Sequence, residues 1–354
     1  MADTPTSSDT PRPKVSVIVP FHRGVAALDR VLSAIVASNV SAEIIVVANG
    51  HVEDLTALSR MPRVQVLSLA SACGPAVARN RGAAIAAGMV LVFVDADVIP
   101  HLTAIPAMLD LFARDPGIAG VFGAYDHQPG EKGFFSQYRN LAHAFVHEQA
   151  NSEATTFWAG LGALRASAFR AVGGFDERFG RPSIEDIELG YRLHKAGYRL
   201  RLDATIRGTH LKCWTLPSCI VIDVRDRGVP WTQALLKFGT ATNDLNISWA
   251  GRASVVLAYL TVSAAAIGLV RPAAFVVSLV ALAGFAAVEW PLLRFFVRAR
   301  GGGFALGVLG GQILHHLCNG VSVVVGTTLW FSQRLWGWRT RWTLPSEVWR
   351  RDGV

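Results

Sequence analysis

The sequence predicts an α/β domain with a mostly parallel sheet flanked by helices, followed by C-terminal helices long enough to cross a membrane. Three observations carry this reading. Short apolar, β-branched runs alternate with helical patterns; turn residues close the runs; and beyond Arg252 the texture changes to long stretches almost free of charge. The 354 residues, 51% of them hydrophobic, have room for one α/β domain of ordinary size and a smaller membrane part.

Residues 1–13 are rich in Pro, Ser, Thr and Asp and lack an apolar core, so they read as a disordered lead-in and not as a signal or transit peptide. On that reading the domain that follows, residues 14–212, stays in the cytoplasm. Its cysteines would be reduced there, and Cys73, Cys213, Cys219 and Cys318 have spacings that suggest neither a zinc site nor a disulfide framework.

Val15-Ser-Val-Ile-Val-Pro20 is a buried strand closed by proline, and a helix is expected over Val25–Ser38. A second strand, Glu43 to Val47, ends in Ala48-Asn49-Gly50, a strong turn signal. Strand, helix, strand of this length is a βαβ unit and implies parallel pairing. The pattern repeats with a strand over 63–69, an Ala-rich helix over 74–88 and a fully apolar strand over 89–94. Further helices are expected over 102–113, 134–148 and 184–196, and strands over 118–124 and 156–164. In open α/β sheets ligands bind beyond the carboxyl ends of the strands, which gathers Phe21–Gly24, Asn49–His51 and Asp95–Asp97 on one edge.

Residues 213–252 form an interfacial connection, and 253–331 carry two to four membrane segments. Ala253–Val270 is one uncharged candidate, Pro272 to about Leu293 a second, and Phe304–Phe331 a third. The third is longer than one upright span needs and contains Gly310-Gly311, His315-His316 and Asn319, so it is expected to be tilted, broken or re-entrant. Counting positive charge puts Arg252 inside, Arg271 outside and Arg294, Arg298 and Arg300 inside; a third full crossing would put the basic tail, 332–354, outside, against the rule. The formal charge of +8 is concentrated in arginines flanking these segments, which fits topology and anionic lipid and argues against nucleic acid.

Asp95 and Asp97 stand one residue apart at the end of a buried strand, where both carboxylates can turn toward one hard cation such as Mg2+ or Mn2+ bridging diphosphate oxygens. An Asp-X-Asp is also a common solvated turn, and only its position after the strand favours the clamp. Ser183-Ile-Glu-Asp-Ile-Glu-Leu189 opens a helix whose start favours negative charge. Glu188 reads as capping; Asp186 reads equally as a cap and as a general base for an acceptor hydroxyl.

With these residues in hand, the sequence resembles a family-2 glycosyltransferase of the nucleotide-diphospho-sugar transferase (GT-A) fold. The resemblance is carried in order by Val15–Pro20, Gly74-Pro-Ala-Val-Ala-Arg-Asn-Arg-Gly82, Phe93-Val-Asp-Ala-Asp97, Gly173-Gly-Phe-Asp-Glu177 and Glu185-Asp-Ile-Glu-Leu189. It implies in-line inversion at the anomeric carbon, a nucleotide-diphospho-sugar donor, Mg2+ or Mn2+ at Asp95 and Asp97, Asp186 as catalytic base, and Pro20, Phe21 and Arg79 lining the nucleotide pocket. By the same resemblance His210 is a metal or diphosphate ligand, although a structural histidine would look alike. Asn49 stands where the family usually has a carboxylate that reads the base or ribose, which leaves the nucleotide open. Arg227 and Trp231 are loosely similar to acceptor-lining Arg-Trp elements and read as an interface element.

The acceptor expected from this combination is lipid-linked or a membrane-proximal glycan, handled by a multi-pass protein whose catalytic domain faces the cytoplasm. A catalytically silent membrane scaffold or binding protein with a transferase fold is the alternative. A dinucleotide-dependent oxidoreductase is disfavoured because the turn after the first strand, Pro20-Phe-His-Arg-Gly24, holds a single glycine.

Overall fold

A computed structural model describes residues 15–50, 55, 58, 61–239 and 248–336. The lead-in at 1–13, His51 and the part of the basic tail beyond residue 336 lie outside these described residues.

Strands β1 (Val15–Phe21), β2 (Ala42–Asn49), β3 (Val64–Leu69) and β4 (Val90–Val94) pair in parallel in the order β3-β2-β1-β4. Side chains alternate across this sheet and both faces are covered. Val17, Val19 and Phe21 join a core beneath α1 (Val25–Ala37) and α3 (Ala104–Arg114), whereas Ile18 joins the opposite core with Phe93, Ala76 and Ala78. This is why the strands read as unbroken apolar runs. Small residues let α2 (Gly74–Ile85) lie close to the sheet: a Cβ on Gly82 would stand 2.6 Å from Ile18 Cγ2 and 3.1 Å from Val47 Cγ2.

Beyond β4 the sheet becomes mixed. β8 (Leu161–Arg165) inserts antiparallel between β4 and β6 (Ile118–Tyr125), β9 (Arg199–His210) runs parallel to β6, and β5 (Val98–Pro100) and β7 (Glu153–Ala154) pair antiparallel with β9. The strand expected from residue 156 begins only at Leu161, because α6 (Glu185–Lys195) crosses directly over the preceding turn. A Cβ on Gly190 of this helix would meet Phe157 N at 2.3 Å. α4 (Phe134–Gln149) packs across β6, and α5 (Ala166–Ala171) follows β8.

Among the described residues the connection to the apolar part carries α7 (Leu216–Val221), a π-helical segment (Ile222–Gly228) and α8 (Val229–Phe238). Then come α9 (Trp249–Gly268), α10 (Ala274–Val288), α11 (Trp290–Arg300) and α12 (Gly302–Trp336). Among the described residues α9 and α12 are each long and apolar enough to cross a membrane, whereas α10 and α11 reach that length only as a pair bent by 71°.

The expectation of a possible break in the last segment is therefore corrected. α12 is one unbroken helix of 35 residues, and the break falls instead at Glu289 in the second segment, where Pro291 opens the first turn of α11. Glu289 accepts hydrogen bonds from Ser254 Oγ at 2.6 Å and from His316 Nε2 at 3.1 Å, so the carboxylate at the bend is matched by polar groups on α9 and α12. α11 turns back onto α4, where Leu292, Leu293, Phe296 and Val308 close a small core over Tyr138 and Leu141. That core attaches the apolar helices to the α/β domain.

Candidate active site

The turn after β4 presents Asp95 and Asp97 at the carboxyl edge of the sheet. Asp95 N–H donates to Gly160 O at 3.0 Å, and Asp97 O accepts from Leu211 N–H at 2.8 Å, so backbone bonds to two neighbouring segments fix the turn. The side chains remain partly open, 33% and 42% exposed. Desolvation raises the Asp95 carboxyl above its ordinary value even though Arg79 opposes it. Desolvation also works against ionisation of Asp97, but the hydrogen bond and charge of His210, helped by Lys212, outweigh it and hold that carboxyl low.

Arg79 projects from the Ala-rich face of α2 into the junction between this turn and α6. Its guanidinium, buried to 5% exposure, donates to Asp95 Oδ1 at 2.8 Å and to Glu185 Oε1 at 2.9 Å. The sequence placed Arg79 at the nucleotide; the fold gives it two carboxylate partners at the same edge. A buried cation flanked by two carboxylates is a fixed charge scaffold, and removing one partner would leave uncompensated charge. Glu185, visible in sequence only as one of the acidic residues opening a helix, is this second partner, and its other oxygen accepts from Ser183 N–H at 2.9 Å.

Asp186 opens α6. Its carboxylate accepts from Ala159 N–H at 3.2 Å and from Ile187 N–H at 2.8 Å. Burial, with the neighbouring Glu185 charge, pushes its carboxyl up to about 6 against the pull of Arg79. A carboxylate poised near neutrality is what a general base needs. Glu188, one turn on, is held by Arg192, whose guanidinium also donates to Val172 O and Gly174 O, so it is a structural tie.

His210, at the end of β9, sits 3.5 Å from Asp97 through Nε2. Its Nδ1 donates to Asn140 Oδ1 at 2.5 Å, and its ring stacks on Tyr125 at 4.3 Å with 10° between planes. The bond to Asn140 orients the ring through Nδ1 and leaves Nε2 toward Asp97, the arrangement of a metal-binding histidine with an oriented outer partner. Among the described residues no three His, Cys, Asp or Glu side chains form a ready-made cage. The donor set nonetheless fits Mg2+ or Mn2+, which take one or two carboxylates and complete their shell with phosphate and water.

Of the other residues expected at the nucleotide, Pro20 and Phe21 end β1, with Phe21 buried to 1% in the core. Asn49 is buried; its Nδ2 donates to Gly74 O at 3.0 Å and its Oδ1 accepts from Cys73 N–H at 2.9 Å, so it ties β2 to the start of α2. Trp231 on α8 donates through Nε1 to Tyr191 OH at 2.9 Å, which docks the helical connection onto α6.

The domain that carries these residues is similar to known proteins. Residues 16–173 match the family Glycosyl transferase family 2, and residues 139–212 match the N-terminal domain of galactosyltransferase. The chain is 30% identical over 198 residues to the pre-mycofactocin glycosyltransferase of Mycobacterium tuberculosis, covering 53% of this chain and 41% of the relative. It is 27% identical over 220 residues to the validoxylamine A glucosyltransferase of Streptomyces hygroscopicus subsp. jinggangensis, covering 52% of each. The chain thus spans about half the length, or less, of these curated relatives. Its fold is similar to that of a mannosyltransferase from Pyrobaculum calidifontis solved with GDP-mannose and Mn2+, at a TM-score of 0.55 and 18% identity over 89% of this chain and 88% of that one. The family match over residues 16–173, the ordered motifs and the GT-A sheet together place a glycosyltransferase family 2 domain in this part of the chain.

Proposed function

We propose that this protein is a membrane-anchored, inverting glycosyltransferase that moves a sugar from a nucleotide-diphospho-sugar to an acceptor at the membrane surface. The observation that carries the reading is the convergence of Asp95, Asp97, Arg79, Asp186 and His210 on the carboxyl edge of one sheet, joined to two helices of membrane-spanning length. The relatives' names, and the GDP-mannose and Mn2+ bound to the structural neighbour, support a nucleotide-sugar donor and a divalent ion.

Asp97, His210 and Asp95 would hold that ion, which when bound offsets the negative charge of the departing diphosphate. Arg79 keeps the Asp95 carboxylate turned to the edge of the cleft. Asp186 accepts the proton from the acceptor hydroxyl as its oxygen bonds to the anomeric carbon. The bond from that carbon to the nucleotide diphosphate breaks, and the nucleotide departs with the electron pair. Attack from the side opposite the leaving group inverts the centre.

Two substitutions test this. Asp97→Asn is expected to abolish metal-dependent nucleotide release while leaving the circular-dichroism spectrum unchanged. Asp186→Asn should lower kcat by about 10²- to 10⁴-fold, the usual yield of a general base, with donor affinity retained. Turnover retained in either variant removes that residue's role.

A further inference from the structure

A cavity of about 360 Å³ lies where α8, α9, α12 and the π-helical segment meet. Leu235, Val255 and Val323 give it an apolar wall, but Arg139, Arg227 and Arg252 also line it. Three guanidinium groups face one carboxylate, Asp223, which leaves a surplus of two positive charges.

Arg139 is matched. It donates to Asp223 Oδ1, whose partner oxygen accepts from His315 Nδ1 at 2.7 Å, and Asn319 Nδ2 donates to His315 Nε2 at 3.2 Å. The other two arginines are not paired by contact. Among the described residues half-buried Arg227 makes no ion pair or side-chain hydrogen bond, although its charge is felt at Asp223 and Asp186, and Arg252 meets the Trp249 ring at 4.4 Å but no carboxylate. Unmatched guanidinium beside membrane-length helices is costly unless an anion completes it, and phosphate oxygens pair with it bidentately.

The cavity is also tied to the catalytic edge. Ser183 Oγ, three residues before Asp186, donates to Asp226 O at 2.6 Å, and Trp231 of the cavity wall is bonded to Tyr191 of α6. The charge of Arg227 reaches Asp186 and is one of the influences that lower its carboxyl.

We propose that this cavity seats the phosphate headgroup of a membrane lipid on Arg227 and Arg252, with the hydrocarbon chain against Leu235, Val255 and Val323, and that this lipid is or carries the acceptor. Its acceptor role rests on the transferase reading; the binding itself does not.

The test uses the full chain in neutral detergent, with hexadecyl phosphate as the probe and hexadecanol and inorganic phosphate as controls, each followed by calorimetry. Hexadecyl phosphate should bind about tenfold or more tightly than either control, because only it offers both the charge and the chain. Arg227→Ala and Arg252→Ala should each weaken it by about ten- to a hundredfold, the loss of a charge-assisted hydrogen bond, and Arg227→Lys by less. Arg252, exposed on α9, carries the test if the Arg227 variant does not fold.

Equal binding of inorganic phosphate would make this a free-anion site, equal binding of hexadecanol a plain apolar pocket, and unchanged affinity in the folded variants would remove the arginines; each overturns the proposal. Nucleotide release by the same wild-type preparation reads the transferase assignment separately. Release without hexadecyl phosphate binding overturns only the lipid site, and binding without release from any donor overturns only the acceptor role.

Discussion

At Asp186 burial and the charge of Glu185 outweigh Arg79, and the carboxyl holds its proton up to about 6 instead of the ordinary 3.8. A base must be ionised to work, so turnover should climb as pH rises through about 6 and level off above it. The same shift has a stability consequence of definite sign. The folded state binds this proton more tightly than the unfolded chain, so its contribution is fully present below pH 4 and is lost as pH rises through about 6. A kcat profile with no inflection near 6 would contradict the assignment.

Asn140 makes a second residue-scale prediction. It fixes the His210 ring, so Asn140→Ala should weaken Mn2+ binding in the presence of nucleotide by about 10- to 100-fold, measured by Mn2+ electron paramagnetic resonance. Unchanged affinity would make the Asn140 contact a packing detail. The sequence named Asp95, Asp97 and Asp186 because each stands at a strand end or a helix start. It gave no sign of Asn140 or of Glu185 as the Arg79 partner, since these contacts join residues 70 and 106 positions apart.

At the scale of elements, α6 reaches the site only because it crosses the turn before β8 at Gly190. Gly190→Val should force the helix away, destabilise the domain by about 1–3 kcal/mol and suppress turnover through displacement of Asp186, read by thermal denaturation and nucleotide release together. Unaltered melting would mean the crossing is not tight. The parallel strands and their helices were legible because period and turn residues agree along them. β9 was not, because Arg199-Leu-Arg-Leu-Asp alternates charged and apolar residues on a strand with Leu200 and Leu202 buried on one side, a short pattern hidden within a basic stretch. The bend at Glu289 escaped for a related reason: Pro291 was counted inside an apolar run, whereas it opens a new helix that packs on α4.

Over the whole molecule, the α/β domain and the apolar helices share a small core between α4, α11 and α12, and a polar network runs from Arg139 through Asp223 to His315. The proposed catalytic edge is thereby fixed relative to α9 and α12, which would suit an acceptor that stays at the membrane. The apolar texture after Arg252 made this part visible in sequence. The pairing of Asp223 with His315, 92 residues apart, could emerge only from the fold.

On the proposed reading this chain transfers a sugar from a nucleotide donor. The most direct measurement is nucleotide release by the purified protein in detergent, with Mn2+ or Mg2+, across UDP-, GDP- and dTDP-sugars together with a membrane lipid extract. Release should require the ion, depend on the extract and be confined to one nucleotide class. No release with any donor, in a folded protein that also binds none of the nucleotides, would contradict it.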